Sequence, residues 1–346
     1  MSVFTVYHHS FEVLGGSERV AVAVIRVLKD LGMKVRLVTL VPPDDKIYAW
    51  DRNYVKPDEV IRVNFPLKFG LYKALYLSLR TVRGNTISTI GDITNCDYNY
   101  IHFPWSISEV AGIKVYKGTK RIYFLPYKVF HRKIKNGGKM LANSRWTGEI
   151  LRKAGFQYQV VYPPVDVEKY SQVGGKERDP RTVLTISRIS PEKDLDNLFY
   201  VAEKLKNFNF YLLGSSGRSR RYLQEVLRKA ESLHNLKVIT NFDDKTLLDI
   251  MGKAKLYFHP KIEEHFGISV VEAMSAGIIP VVHKSGGTWM DIVDEGKYGF
   301  GYSSKEEAVN SLIEASKSSL EVKKRAEMFT FKKFEATLLS ILERAS

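Results

Sequence analysis

The sequence predicts an α/β protein made of two doubly wound, parallel-sheet domains. Three observations predict it. Short apolar runs alternate with helical patterns along the 346 residues, the signature of a parallel sheet with crossover helices. The alternation restarts after residues 160–166, VVYPPVD, where two prolines following a short strand make a stiff connector. Polar, glycine-bearing loops follow the strands in both halves, at the carboxyl ends where open α/β sheets take up ligands. A chain of this length with 44% hydrophobic residues can bury two cores.

The first strand, residues 4–7, leads through His8, His9 and Ser10 to Gly15 and Gly16. A helix over 19–31 follows, Gly32 stops it, and residues 35–41 form the second strand. This opening is Rossmann-like, yet G-x-G-x-x-G is absent, and a lone Gly-Gly pair more often makes only a tight turn. Residues 100–105, YIHFPW, end a strand-like run at His102. A lone histidine is more often structural than catalytic, but the end of a strand is the favourable place for a functional one. Residues 140–147, MLANSRWT, read as a strand, an Asn-Ser turn and a helix.

In the second half, strands are predicted over 183–186, 210–213, 237–240, 256–259 and 279–282. The first ends in Arg188 and Lys193, spaced R-x4-K, where two cations can grip a diphosphate and offset charge on a leaving group. Asp194 and Asp196 invite a metal; they are read instead as acids at the start of a helix over 195–205, where the dipole favours them. Gly214, Ser215, Ser216 and Gly217 allow backbone to approach a ligand, and the basic run behind them is either surface charge or further phosphate contact. Residues 309–342 read as helical.

Residues 261–291 carry the densest chemistry. A polar loop holds Glu263, Glu264 and His265, a helix opens at 267–269 and runs through Glu272, and Gly277 ends it. A strand and the turn Ser285-Gly286-Gly287 follow. Free N–H groups at the helix start attract phosphate while the carboxylates accept bonds from sugar hydroxyls. Ser269 and Glu272 also fit a capping box, S-x-x-E, in which Glu272 only ties down the helix start. Local pattern leaves both readings open.

Glu264 to Glu272, EHFGISVVE, resembles the E-x7-E signature of retaining glycosyltransferases of the GT-B fold, family 4. The wider segment EHFGISVVEAMSAGIIPVVHKSGG resembles mannosyltransferases that extend lipid-linked oligosaccharides on the cytosolic face of the endoplasmic reticulum, and archaeal relatives. With GGSER and MLANSRWT, the resemblance covers nearly the whole chain. It implies two Rossmann-like domains facing a central cleft: 1–164 on the acceptor and membrane side, 165–324 for the donor, and a final helix, 325–346, returning to the first. It implies transfer of mannose or glucose from GDP or UDP to a lipid-linked oligosaccharide or glycolipid.

Carried onto this chain, the resemblance gives Glu264 the donor sugar hydroxyls, Glu272 the ribose, and Arg188 and Lys193 the diphosphate. Gly214, Phe266, Gly267 and Ile268 line the donor, while His102, Gly15 and Gly16 approach from the first domain. No metal and no cofactor is expected; the nucleoside diphosphate sugar is a co-substrate. No carboxylate stands out as a nucleophile, which favours same-face substitution over double displacement. The rival readings are a GT-B epimerase or sugar-nucleotide hydrolase, and a basic nucleic-acid-binding protein. The last explains the charge but not two acids beside a cation pair, so no nucleic acid partner is expected.

Net charge is +15, unevenly spread: residues 1–165 hold 25 Lys and Arg against 12 Asp and Glu, residues 166–346 hold 28 against 26. Residues 65–83 and 113–140 mix cations with aromatics and contain no acid, as at the interface of an anionic bilayer. In the second, Lys128, Arg132, Lys133 and Lys135 lie among Tyr123, Phe124, Tyr127 and Phe130. Neither a signal peptide nor a span of about 18 apolar residues is read. The lone Cys96 suits a reducing compartment and a buried thiol. A cytoplasmic protein held peripherally on the membrane is expected.

Overall fold

The computed structural model describes residues 3–51, 53–65, 70–111, 120–131, 134, 138–173, 177–215 and 219–343. They fall into two compact units: Met1–Pro164 with Phe331–Ser346, and Val165–Thr330.

The first unit is a seven-stranded parallel sheet. Its strands are β1 (Val3–Tyr7), β2 (Lys34–Thr39), β3 (Glu59–Arg62), β4 (Thr86–Ser88), β5 (Tyr98–Ile101), β6 (Lys139–Ala142) and β7 (Tyr158–Val160). They lie in the order β3-β2-β1-β4-β5-β6-β7, so the order reverses between β1 and β4. The helix Gly16–Asp30 starts three residues before the apolar pattern does, because its first turn is polar. Its inner face, including Val20, Val24 and Val27, shares one core with Phe334, Leu338 and Ile341 of the last helix, Phe331–Glu343. Burying each such side chain contributes about 1.5–3 kcal/mol, which is what holds the returning helix to this unit. Cys96 is buried and its thiol is pushed up to about 11, chiefly by burial.

The second unit is a six-stranded parallel sheet. It comprises β8 (Asp179–Ile186), β9 (Asn209–Gly214), β10 (Leu236–Thr240), β11 (Ala254–Phe258), β12 (Ile279–His283) and β13 (Phe300–Tyr302). The order is β10-β9-β8-β11-β12-β13, reversing between β8 and β11, where Leu256 pairs with Val183. Helices over both halves of the chain supply the crossovers that parallel strands require.

Helix does not run unbroken over 309–342. It divides into Lys305–Lys317, Lys323–Ala326, a 3₁₀ turn Glu327–Phe329 and Phe331–Glu343. The chain leaves the second unit after Thr330. There Val165 bridges to Thr330 and its N–H donates to the Phe329 carbonyl at 2.8 Å, so the entering and leaving strands of chain run side by side.

The basic stretch differs from its expectation. In the helix Lys120–His131, Phe124 and Tyr127 are core residues, 3% and 1% exposed, and the Tyr127 hydroxyl donates to Asp92 at 2.6 Å. They occupy the inward face with His131 at helical spacing; the exposed apolar side chains are Leu125 and Val129. Lys128 pairs with Glu109. Lys68, Lys114, Lys117, Arg132, Lys133 and Lys135 lie outside the described residues, as do the side chains of Tyr123 and Phe130. Among the described residues no helix is long and apolar enough to cross a membrane.

Candidate functional site

The loops after β8 and β11 flank the crevice where the second sheet reverses its order, the place where such sheets receive ligands. Each loop is tied down by side chains that are not themselves candidates for ligand contact. Asp194, left-handed at φ 50°, accepts from the Ile262 N–H at 3.0 Å and from Lys261 Nζ at 3.1 Å. Asn197 Nδ2 donates to the Pro260 carbonyl at 2.9 Å. Asp194 therefore joins the two loops instead of opening a helix; the helix is Asp196–Lys204, and Asp196 pairs with Lys229. Among the described residues, no group of three or more His, Cys, Asp or Glu could hold a metal ion.

The turn after β12 clamps the acidic loop from the other side. Ser285 Oγ accepts from the Glu263 N–H at 2.9 Å, and the Gly287 N–H donates to the Glu264 carbonyl at 2.8 Å. Gly286 has φ +76°, and a Cβ there would stand 2.3 Å from the Glu264 carbonyl oxygen, so only glycine permits the clamp. The helix Ile268–Ser275 then begins at Gly267, its N-cap, with φ +103° and no side-chain capping bond. Ser269 is its second residue, so the capping box does not form; Ser269 Oγ instead lies 2.8 Å from the Tyr257 hydroxyl. Glu272 is buried at 8% exposed in the second turn of this helix.

At the centre stands Glu264, its side chain 15% exposed. Lys193 Nζ reaches its Oε2 at 2.6 Å, and His259 Nε2 lies 3.4 Å from the same oxygen. Burial pushes the carboxyl up, but Lys193 first and the neighbouring histidines next hold it well below the usual range. His259 is 3% exposed and burial lowers its pKa; burial likewise takes His265 down to about 4. The result is an ionised carboxylate, an ammonium and neutral imidazoles in one crevice beside a helix N-terminus.

Arg188 is exposed on the loop after β8. Gly214 serves that loop: a Cβ on it would be 2.3 Å from the Ser187 carbonyl oxygen, and Ile189 N–H donates to Ser215 at 3.0 Å. Its close approach is to protein. Ser216, Gly217 and Arg218 lie outside the described residues. Phe266 is 3% exposed, packed edge-on against Phe329 at 5.4 Å, which leaves its backbone, not its ring, toward a ligand. Ile268 is the first residue of the helix, partly exposed.

In the first unit, Gly15 caps the helix Gly16–Asp30 with extended backbone, φ −160°, so the turn itself does not require glycine there, and Gly16 is exposed. His102 follows β5 and its ring packs on Gly91, where a Cβ would come within 2.9 Å of His102 Cδ2. His8, fully buried after β1, spans the reversal point of this sheet. Its Nδ1 lies 3.0 Å from Thr89 Oγ1, and its Nε2 lies 3.1 Å from the Ser10 carbonyl and 3.5 Å from Glu18 Oε1. Burial raises Glu18, but His8 outweighs it and holds the carboxyl at about 2.

Sequence reasoning passed over His259 and His8. Both directly follow a strand at a reversal point, the same positional signal that drew attention to His102.

The family described as Glycosyl transferases group 1 matches residues 166–332. The "GDP-Man:Man(3)GlcNAc(2)-PP-Dol alpha-1,2-mannosyltransferase" of Dictyostelium discoideum is 26% identical over 76% of this chain and 56% of its own length. The Caenorhabditis elegans protein of the same name is 32% identical over 58% and 46%. The chain spans about half the length of the curated relatives it matches. Among solved structures, Anabaena HepE in complex with UDP-glucose superposes with a TM-score of 0.69 at 15% identity, covering 99% of both chains. With two parallel, order-reversing sheets and these likenesses, the chain has the fold of the GT-B glycosyltransferases, and its residues 166–332 resemble the glycosyl transferases group 1 family.

Proposed function

We propose that the chain is a retaining, metal-independent hexosyltransferase that moves mannose from GDP-mannose to a hydroxyl of a lipid-linked glycan. The observation that carries it is the Lys193–Glu264 pair at the reversal point of the second sheet, at 2.6 Å and next to the N-terminus of Ile268–Ser275. An ammonium can take a diphosphate and a carboxylate can take sugar hydroxyls, so the two side by side at this point suit a ligand that has both. The choice of mannose, GDP and a lipid-linked acceptor is supported by the printed activity of the mannosyltransferase relatives.

In this reading Arg188 and Lys193 take the diphosphate, Glu264 the hexose and Glu272 the ribose. The backbone at Phe266, Gly267 and Ile268 faces phosphate through the helix N-terminus, offsetting the charge that builds on the leaving group. His102, Gly15 and Gly16 serve the transferred sugar and the acceptor. Because the Glu264 carboxylate is engaged by Lys193 and no other acid among the described residues stands out as a nucleophile, the departing phosphate would take the acceptor proton on the same face of the sugar. Cations and helix dipole do the work a divalent ion does elsewhere.

The test is product analysis with GDP-mannose or UDP-glucose, with and without a dolichyl-diphosphate oligosaccharide, in excess EDTA. Mannosylated lipid whose anomeric configuration by NMR equals the donor's is the expected product. Inverted product, or turnover abolished by EDTA, overturns the mechanism; release of free mannose alone whether or not the lipid is present means a hydrolase. We place the enzyme on the cytosolic face of a membrane, held by its basic first half, a reading supported by the charge asymmetry and by exposed Leu125 and Val129 beside Lys128.

A further inference from the structure

His259 is a buried polar side chain with nothing to do. It is 3% exposed, and neither ring nitrogen finds a hydrogen-bond partner among the described residues. Groups so placed are rare, since burial strips their water without replacing it. Its Nε2 nevertheless stops 3.4 Å from Glu264 Oε2, the oxygen that Lys193 Nζ holds at 2.6 Å. The ring is fixed where it is: it stacks on Tyr257 at 6.2 Å and 19°, and the Tyr302 hydroxyl donates to the His259 carbonyl at 2.9 Å.

Two donors thus converge on one carboxylate oxygen, and only one is used. In the proposed donor site, on which this inference rests, Lys193 cannot serve both Glu264 and a diphosphate at full strength. When the diphosphate draws the ammonium away, a buried carboxylate loses its cation, which is among the more costly changes a protein interior can undergo. We propose that His259 is a positioning residue of the donor site: it takes over Glu264 when Lys193 turns to the diphosphate, and so keeps the carboxylate aimed at the hexose.

The exchange has an electrostatic consequence. The groups facing the His259 ring are Lys193 from the turn after β8, Lys261 and Glu264 from its own loop, and Tyr257 from its own strand. With no donor present, burial and the two lysines favour the neutral ring. Moving the Lys193 ammonium off Glu264 and bringing in a dianion both favour the imidazolium. Donor binding therefore takes up a proton on His259, balancing the positive charge that left the carboxylate.

Calorimetric titration of the full chain with GDP-mannose, at pH 6 and pH 7 in buffers of different ionisation enthalpy, reads this directly. GDP-mannose is the right probe because its diphosphate has no group titrating near neutrality. Wild type should absorb up to one proton per donor bound, more completely at the lower pH. His259→Gln, shown by circular dichroism to be folded, should absorb none and bind about tenfold more weakly, the loss of one hydrogen bond to a charged group. Lys193→Met and Glu264→Gln report on the underlying site. If both bind like wild type, the donor-site reading itself fails. If both lose affinity while wild type absorbs no proton, or while His259→Gln absorbs as wild type does, the site stands and the role given to His259 is overturned. The wild-type proton count needs no variant, so a misfolded His259→Gln leaves the test intact.

Discussion

The two sheets reverse their strand order in the same way, yet the crevices at the reversal points are finished differently. In the first unit, between β1 and β4, His8 has acceptors at both ring nitrogens and Glu18 beside it. In the second, between β8 and β11, the Lys193–Glu264 salt bridge lies 3.4 Å from His259, whose ring nitrogens have no hydrogen-bond partner among the described residues. The first crevice is locked by its own side chains, while the second holds interactions that can be exchanged. Satisfied polar networks stabilise, and incompletely satisfied ones mark the places a ligand completes. On this comparison removing the whole Lys193–Glu264 pair from the second crevice damages turnover and spares stability, and a substitution in the first does the reverse.

The largest effect should come from Lys193→Met or Glu264→Gln, each lowering kcat/KM for GDP-mannose about 1000-fold, roughly 4 kcal/mol of transition-state stabilisation. Removing both charges together, Lys193→Met with Glu264→Gln, should move denaturant unfolding by less than about 1 kcal/mol, because the pair's attraction is offset by its desolvation and no charge is left stranded. Turnover at the wild-type rate breaks the comparison at its functional end. Its structural end is tested by His8→Leu, which strips partners from Thr89, Ser10 and Glu18. A cost of about 2–4 kcal/mol in unfolding is expected, and an unchanged unfolding curve would show that the first crevice is not a lock.

How much of this could be read beforehand depends on where the signal lay. Glu264 and Glu272 stand out in the sequence because loop chemistry and helix start coincide within a few residues, and Lys193 because it follows a strand; the structure joins Lys193 to Glu264. Gly286 was legible as a turn but not as a clamp, since the atom it makes room for, the Glu264 carbonyl oxygen, is twenty-two residues away. Asp196 does open the helix, as the dipole rule expects, and also pairs with Lys229. Asp194 was misplaced for a similar reason, since the groups that hold it, Lys261 and the Ile262 N–H, lie on a distant segment. In the fold, β4 and β13 were missed because three residues cannot show a period. β4 reads Thr-Ile-Ser and is buried between β1 and β5, with the Thr86 hydroxyl donating to Asp97 at 3.0 Å. Phe124 and Tyr127 of the basic stretch are core residues and not headgroup contacts, because composition does not distinguish the two faces of a helix.

The histidines sharpen the comparison by pH. His259 and His265 have folded pKa values below the unfolded value near 6.5, so the unfolded chain binds protons first as pH falls. Their stabilising contribution is complete above about pH 6.5 and is lost on acidification toward the folded value, about 4 for His265. Between pH 7 and pH 5 unfolding stability should fall by up to about 2 kcal/mol through His265, with His259 adding in the same direction. His265→Gln should flatten that slope, and a slope unchanged by the substitution would remove His265 as its source.

The smallest effect is expected at the membrane. Binding to anionic vesicles should weaken by about 1 kcal/mol for each cation removed from Arg132, Lys133 and Lys135, and should fade with salt as the Debye length shortens to about 8 Å. Lys128 should matter less, since Glu109 already neutralises it. Co-sedimentation decides this: equal recovery on neutral and anionic vesicles would detach the charge asymmetry from the membrane.

The return of Phe331–Glu343 to the first unit also sets an order of events during synthesis. The second unit, Val165–Thr330, is contiguous and can complete its core as soon as it leaves the ribosome. The first unit, although made earlier, lacks Phe334, Leu338 and Ile341 from its core until the last turns of helix emerge. For the whole interval in which the second unit is translated, the earlier half must wait with part of the apolar face of Gly16–Asp30 uncovered. The half of the protein that is born first is the half that folds last.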